Sequence, residues 1–123
     1  MTKKILVAED EEILRMLITD TLEDEGYKID EACDGQEALD FIMNQDYDLI
    51  VLDYMMPLFT GLEVIEKVRS LPEKAEQKIM MLSAKSQQTD QQKVLDAGAN
   101  YFMTKPFSPM ELVKRIEEIV GEA

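Results

Sequence analysis

The stretch Leu49-Ile50-Val51-Leu52-Asp53-Tyr54-Met55-Met56-Pro57 decides how this chain of 123 residues folds. Its first four residues are an unbroken apolar run, the pattern of a strand buried on both faces of a parallel sheet. The run ends directly at a carboxylate, and a loop with Pro57 and Gly61 follows. The same figure recurs on either side. Ile5-Leu6-Val7-Ala8 runs into Glu9-Asp10, and Ile79-Met80-Met81-Leu82 runs into Ser83. Lys28 to Cys33 reads as a more polar strand, and Tyr101-Phe102-Met103 as a fifth, with Lys105 just beyond it.

Helical periodicity fills the intervals. Ile13, Leu14, Leu17, Ile18 and Leu22 recur at helical spacing until Gly26 stops them. Asp34 with Glu37 resembles a capping box ahead of Leu39, Ile42 and Met43, and Leu62, Ile65 and Val68 form a third stripe. The fourth helix is weak, because Ser86 to Lys93 is almost wholly polar and only Val94, Leu95 and Ala97 precede Gly98. The fifth has the clearest start, with Ser108 as N-cap, Pro109 at its first position and Glu111 three residues after the cap. Leu112, Val113, Ile116, Ile119 and Val120 give its buried face, and Gly121 ends it.

Five strand–helix units with no linker imply one α/β domain over residues 1–123, a doubly wound, flavodoxin-like parallel sheet flanked by five helices. Asp30 and Glu31 suit the second strand to a sheet edge, whereas the apolar first, third and fourth suit the interior. The strand order 2-1-3-4-5, with right-handed crossovers, meets those demands.

Composition narrows the chemistry. With 26 acids against 13 bases the chain carries a net charge of −13, which argues against direct nucleic-acid binding, since phosphate contacts need clustered Lys and Arg. There is no His, so neither a Ser-His triad nor a His-ligated zinc site can be built. A lone Cys33 excludes a disulfide framework and reads as a small apolar residue at a strand end. The nine Met residues read as core fillers. The longest apolar runs are four residues, far short of a membrane span, and the basic Met1 to Lys4 segment lacks the apolar region of a signal peptide. No membrane insertion and a cytoplasmic location are the expectations.

The reactive residues share one address. Glu9, Asp10, Asp53, Ser83 and Lys105 each follow or close a strand, so all fall at the carboxyl edge of the sheet. The order 2-1-3-4-5 puts the switch point between strands 1 and 3 and brings Glu9, Asp10 and Asp53 together. Three carboxylates about 5 Å apart repel by about 3 kcal/mol per pair at an effective dielectric of 20, so the cluster wants a hard cation. Oxygen ligands without imidazole point to Mg²⁺ or Mn²⁺. Lys105 offsets part of the charge and suits a phosphoryl oxygen. Together these make a site for a carboxylate nucleophile that receives a phosphoryl group.

Read with their spacing, Ile5-Leu6-Val7-Ala8-Glu9-Asp10-Glu11, Leu52-Asp53-Tyr54-Met55-Met56-Pro57 with Gly61, Leu82-Ser83-Ala84, Ala97-Gly98-Ala99 and Lys105-Pro106-Phe107 resemble the receiver domain of bacterial two-component response regulators. The resemblance covers essentially the whole chain. It implies that Asp53 is the phosphoacceptor, taking its phosphoryl group from a sensor histidine kinase or phosphotransfer protein. It implies direct Mg²⁺ ligation by Asp10, Asp53 and the backbone carbonyl of Met55, with Glu9 acting through a water. Ser83 and Lys105 would hold phosphoryl oxygens, and Ser83 and Phe102 would move together as a switch of the helix 4–strand 5–helix 5 face. That face would serve a downstream protein target or output domain. Met55 and Lys85 occupy positions that tune phosphorylation and hydrolysis rates, and Lys105-Pro106 is expected to be cis. Such a domain catalyses its own phosphorylation and dephosphorylation and is not a turnover enzyme. The chain departs from the commonest pattern at Glu9, more often Asp, and at Phe102, more often Tyr.

Two other classes compete. A haloacid dehalogenase-type phosphatase also uses an aspartyl phosphate but expects a second Asp where Met55 stands. A pseudo-receiver would bind partners without phosphorylation, and the intact set of Asp53, Asp10, Ser83 and Lys105 speaks against it.

Overall fold

The computed structural model describes residues 2–84 and 91–122. Its elements alternate as β1 (Lys4–Ala8), α1 (Glu12–Asp24), β2 (Lys28–Ala32), α2 (Gly35–Asn44), β3 (Leu49–Asp53), α3 (Gly61–Arg69), β4 (Ile79–Ala84), α4 (Gln91–Ala97), β5 (Tyr101–Lys105) and α5 (Pro109–Val120). A short 3-10 turn, Pro72–Lys74, follows α3. The strands form one parallel sheet in the order β2-β1-β3-β4-β5, the order expected from the sequence.

The apolar runs are continuous because each strand feeds two cores. Leu6, Ile50, Leu52, Ile79 and Met81 point to one face and pack with Ile42 of α2, Val64, Ile65 and Val68 of α3 and Val94 of α4. Their neighbours Ile5, Val7, Leu49, Val51, Met80 and Leu82 point to the other face, against Ile18 and Leu22 of α1 and Leu112, Ile116 and Ile119 of α5. The period of two along a strand turns one apolar run into two buried surfaces. At the edge, the half-buried Asp30 accepts a hydrogen bond from the Tyr47 hydroxyl at 2.7 Å. Among the described residues no helix is long and apolar enough to cross a membrane.

Helix termini follow side-chain chemistry. Ser108 Oγ accepts from the Glu111 amide at 3.1 Å, with Pro109 at the first position of α5. Asp34 accepts from the Glu37 amide at 2.8 Å, but the Glu37 carboxylate returns to the Cys33 amide, one residue before the cap, so the box is shifted. Thr60 and Glu63 form a full reciprocal capping box that fixes the start of α3.

Three sequence expectations need correction. Ile13 and Leu17 do not join the inner stripe of α1; they are 85% and 46% exposed, beside an exposed Met16. Two stripes of spacing four run along this helix, and only the one through Leu14, Ile18 and Leu22 meets the sheet. Cys33 is exposed beyond the end of β2, where its Sγ lies 3.0 Å from Glu37 Oε1. The methionines divide: Met56, Met80 and Met81 are core, while Met16, Met43, Met55 and Met110 are exposed.

Candidate functional site

The carboxyl ends of β1, β3, β4 and β5 meet at one edge, and the topology brings the predicted residues there. Glu9 directly follows β1, and its amide donates to the Ala32 carbonyl at 3.0 Å, extending the parallel ladder by one step. Asp53 closes β3 opposite Leu82, and the Tyr54 amide after it donates to the Leu82 carbonyl at 2.8 Å. Ser83 is the last residue but one of β4 and Lys105 closes β5, where Ser83 pairs with Thr104 and Ala84 with Lys105.

Glu9 is fully buried and Asp53 is 6% exposed, while Asp10 is exposed at the mouth. Carboxylate oxygens of all three lie within 4.8 Å of one another. Lys105 Nζ spans two of them, 2.8 Å from Asp53 Oδ1 and 3.1 Å from Glu9 Oε1. Ser83 is buried, and its hydroxyl donates to the Ala84 carbonyl at 3.2 Å. Phe102 is half-buried and packs on the α2–α3–α4 side of the sheet, and Met55 is exposed just past Asp53. Lys85 lies outside the described residues. The Lys105–Pro106 peptide is cis.

Burial sets the electrostatics. It pushes the Glu9 carboxyl up to about 8, the Asp53 charge adds to the rise, and Lys105 opposes it. Asp53 is also raised, first by burial, with Lys105 working against the shift. Burial disfavours the Lys105 ammonium, yet the contacts with Asp53 and Glu9 outweigh it and hold its pKa above the ordinary value. One ammonium therefore serves two buried acids, and a third lies next to them.

Glu9 Oε2 has no hydrogen-bond partner although it is buried. An orphaned carboxylate oxygen is costly unless protonated or occupied. Together with Asp10 and Asp53 it makes an all-oxygen donor set that fits a hard divalent cation.

Two further features shape the site. Gly61 N donates to the Tyr54 carbonyl at 2.8 Å, and a Cβ at Gly61 would lie 2.6 Å from the Asp53 carbonyl oxygen. Only glycine lets the start of α3 approach so closely. The Arg15 guanidinium, which the sequence reading passed over, donates to the Glu9 carbonyl at 2.8 Å. Its spacing in α1 carries no signal of that contact.

An open parallel sheet with a buried acid cluster and a lysine at its switch point is the class of α/β domain that binds ligands beyond the carboxyl ends of its strands. The chain belongs to the response regulator receiver domain family, whose model matches residues 5–117. It is 43% identical over 120 residues to the alkaline phosphatase synthesis transcriptional regulatory protein PhoP of Bacillus subtilis, covering 98% of this chain and 49% of that protein. It is 42% identical over 120 residues to the transcriptional regulatory protein ResD of the same organism, with the same shares covered, 98% and 49%. The chain thus spans about half the length of the curated relatives it matches. Chemotaxis response regulator CheY4 of Vibrio cholerae superposes with a TM-score of 0.91 at 31% identity, over 97% of this chain and 99% of that one. The receiver domain of sensor histidine kinase PA1611 from Pseudomonas aeruginosa superposes with a TM-score of 0.89 at 28% identity, over 99% and 100%. That protein holds a magnesium ion coordinated in its active site cleft.

Proposed function

We propose that residues 1–123 act as one phosphoacceptor domain, in which Asp53 takes a phosphoryl group from a phosphohistidine of a sensor kinase or phosphotransfer protein. The observation that carries this reading is the Lys105 ammonium 2.8 Å from Asp53 Oδ1, with Glu9 and Asp10 alongside. A carboxylate oxygen of Asp53 attacks phosphorus, the phosphorus–nitrogen bond of the donor breaks, and the imidazole, already protonated on its other ring nitrogen, leaves as neutral histidine. Lys105 turns from a carboxylate partner into a partner of the phosphoryl oxygens. Ser83 lies one residue beyond Leu82, the partner of Asp53, and its hydroxyl can exchange the weak bond to Ala84 for a phosphoryl oxygen.

Glu9, Asp10, Asp53 and the Met55 carbonyl are the residues that would hold Mg²⁺, and Mn²⁺ suits the same oxygens. The cation would supply neutralising charge for the acids and for the incoming phosphoryl group. Glu9 must release its proton before its carboxylate can serve the cation, so the raised Glu9 pKa makes occupancy depend on pH.

The exposed surface supports this reading of the partners. Ile13, Met16 and Leu17 are exposed on α1, just after Asp10, and offer a donor protein apolar footing beside the acceptor. Ser83 and Phe102 bias the α4–β5–α5 face toward a downstream protein or output domain. Met55 and Lys85 tune the rates. The chain itself makes no nucleic-acid contact or membrane insertion in this reading, and it works in the cytoplasm.

Intact mass spectrometry after incubation with a small-molecule phosphodonor and Mg²⁺ tests the proposal. The expected product is one labile phosphoryl adduct, lost in Asp53→Asn and without the cation. No adduct from any donor or cognate kinase overturns it and leaves a phosphorylation-independent binding module.

A further inference from the structure

Arg15 is a cation in the wrong place for helix stability. It is the fourth residue of α1, near the positive end of the helix dipole, where acids are favoured. Its side chain is only 17% exposed, so it is not a solvated surface charge. Helical side chains lean toward the N-terminus of their helix, which aims this guanidinium back over the β1–α1 loop. There Nη1 donates to the Glu9 carbonyl at 2.8 Å, and Nε lies 3.3 Å from Glu31 Oε1 on β2.

Glu9 is therefore held by both of its backbone groups. Ala32 accepts from its amide and Arg15 donates to its carbonyl. The carbonyl belongs to the Glu9–Asp10 peptide, and a planar trans peptide has its orientation fixed once its oxygen is fixed. The same bond thus sets where the buried Glu9 carboxyl and the exposed Asp10 carboxylate begin. We infer that Arg15 is a positioning residue for the acidic pocket, clamping the Glu9–Asp10 peptide to β2 through Glu31 so that both acids are preorganised for a divalent cation. The inference rests on the reading of Glu9, Asp10 and Asp53 as a Mg²⁺ site.

The sign of the effect separates this role from simpler ones. Deleting a positive charge near three acids should by itself tighten cation binding. A merely structural contact should lower thermal stability and leave cation affinity unchanged. Loss of positioning does the opposite of the first and more than the second. Residues that orient metal ligands typically contribute about tenfold or more to affinity.

The experiment is calorimetric titration of the unphosphorylated chain with Mg²⁺ alone, for wild type, Arg15→Ala and Arg15→Lys, with thermal unfolding run in parallel. Arg15→Ala is expected to bind Mg²⁺ about tenfold more weakly. Arg15→Lys, which keeps the charge but not the two-pronged geometry, should recover only part of the loss. Should the alanine variant fail to fold, the lysine variant carries the comparison alone. Affinity equal to or tighter than wild type in a folded variant overturns the inference while leaving the site reading intact. A wild-type chain that takes up no Mg²⁺ overturns the site reading, and the inference with it.

Discussion

The Lys105 ammonium bridges 2.8 Å to Asp53 Oδ1 across the width of β4, joining the ends of two strands that do not pair with each other. With Glu9 Oε1 also within 3.1 Å, it is the counter-charge of two buried carboxyls. Lys105→Ala leaves them facing each other with no cation between. Breaking a buried pair costs about 3 kcal/mol, and the cost should appear in urea unfolding at alkaline pH and shrink in acid, where Glu9 is protonated. Mg²⁺ affinity should hold or rise, since a competing cation is gone, while the phosphorylation-linked change in the amide spectrum is lost. A Lys105→Ala chain that still shows the full phosphorylation-linked change removes Lys105 from its proposed role.

Removing and restoring Mg²⁺ across pH gives a second prediction. The folded-state pKa of Glu9, about 8, lies above its ordinary 4.5, so the native state holds this proton more tightly than the unfolded chain. The stability it contributes is full below the unfolded value and lost as pH rises through about 8. The upward shift of Asp53 acts in the same direction. Without a divalent cation, the melting temperature should fall from about pH 6 to about pH 8. Saturating Mg²⁺ replaces the proton and should flatten that fall, so the gain on adding it is larger at the higher pH. Equal gains at both would show that Glu9 does not titrate with cation binding.

Much of this architecture is legible in the sequence because it rests on local chemistry. Leu49 to Leu52 can be apolar without interruption only if both sides of the strand are covered, and the two cores show that they are. Asp53, Ser83 and Lys105 are readable as one group because topology alone brings strand ends to one edge. What was not legible depends on how far a side chain reaches or which way an element rolls. Ile13 and Leu17 have helical spacing as good as that of Ile18 and Leu22, and only the seating of α1 on the sheet decides between the stripes. The contact of Arg15 with Glu31 on β2 crosses 16 positions and follows no periodicity. Lys74 is buried for the same reason, its Nζ 3.0 Å from both the Gln45 carbonyl and Asp46 Oδ1 across the fold.

The loop after Asp53 contains a strained residue. Leu58 has φ of 70°, in the left-handed region that costs a β-carbon-bearing residue about 1–2 kcal/mol. It is 71% exposed, so its side chain contributes little burial in exchange. Leu58→Asn, which tolerates that conformation, should stabilise the fold by about 0.5–1 kcal/mol in urea unfolding. A loss of stability would mean that the leucine side chain holds the loop in place.

Close approach at the start of α3 is unforgiving. A methyl at Gly61 meets the Asp53 carbonyl oxygen at 2.6 Å and the Met81 sulfur at 2.8 Å. The methionine can swing aside; the backbone of β3 cannot. Gly61→Ala should destabilise by about 1–3 kcal/mol and weaken Mg²⁺ binding together, because the clash falls on the strand end that carries Asp53. Stability lost with cation affinity intact would confine the clash to Met81.

Helix α4 is the least anchored of the five. Over the described residues Gln91–Ala97 it has one buried side chain, Val94, with Leu95 at 42% exposure. Its far end is gripped instead by Arg69, whose Nη2 donates to the Gly98 carbonyl at 2.7 Å and to Asn100 Oδ1 at 2.8 Å. A segment held over residues 91–97 by Val94 and the smaller Ala97, and beyond its end by a guanidinium, opens locally at low cost. Val94→Ala removes two methyl groups' worth of burial, about 1.6 kcal/mol at 0.8 kcal/mol per carbon. That corresponds to about tenfold faster amide exchange in residues 91–97, with the exchange of β1 and β3 changed far less. Phosphorylation of wild type should alter exchange over the same helix and in β5, where Phe102 sits. Exchange in α4 that answers neither to Val94→Ala nor to phosphorylation would detach this helix from the proposed switch.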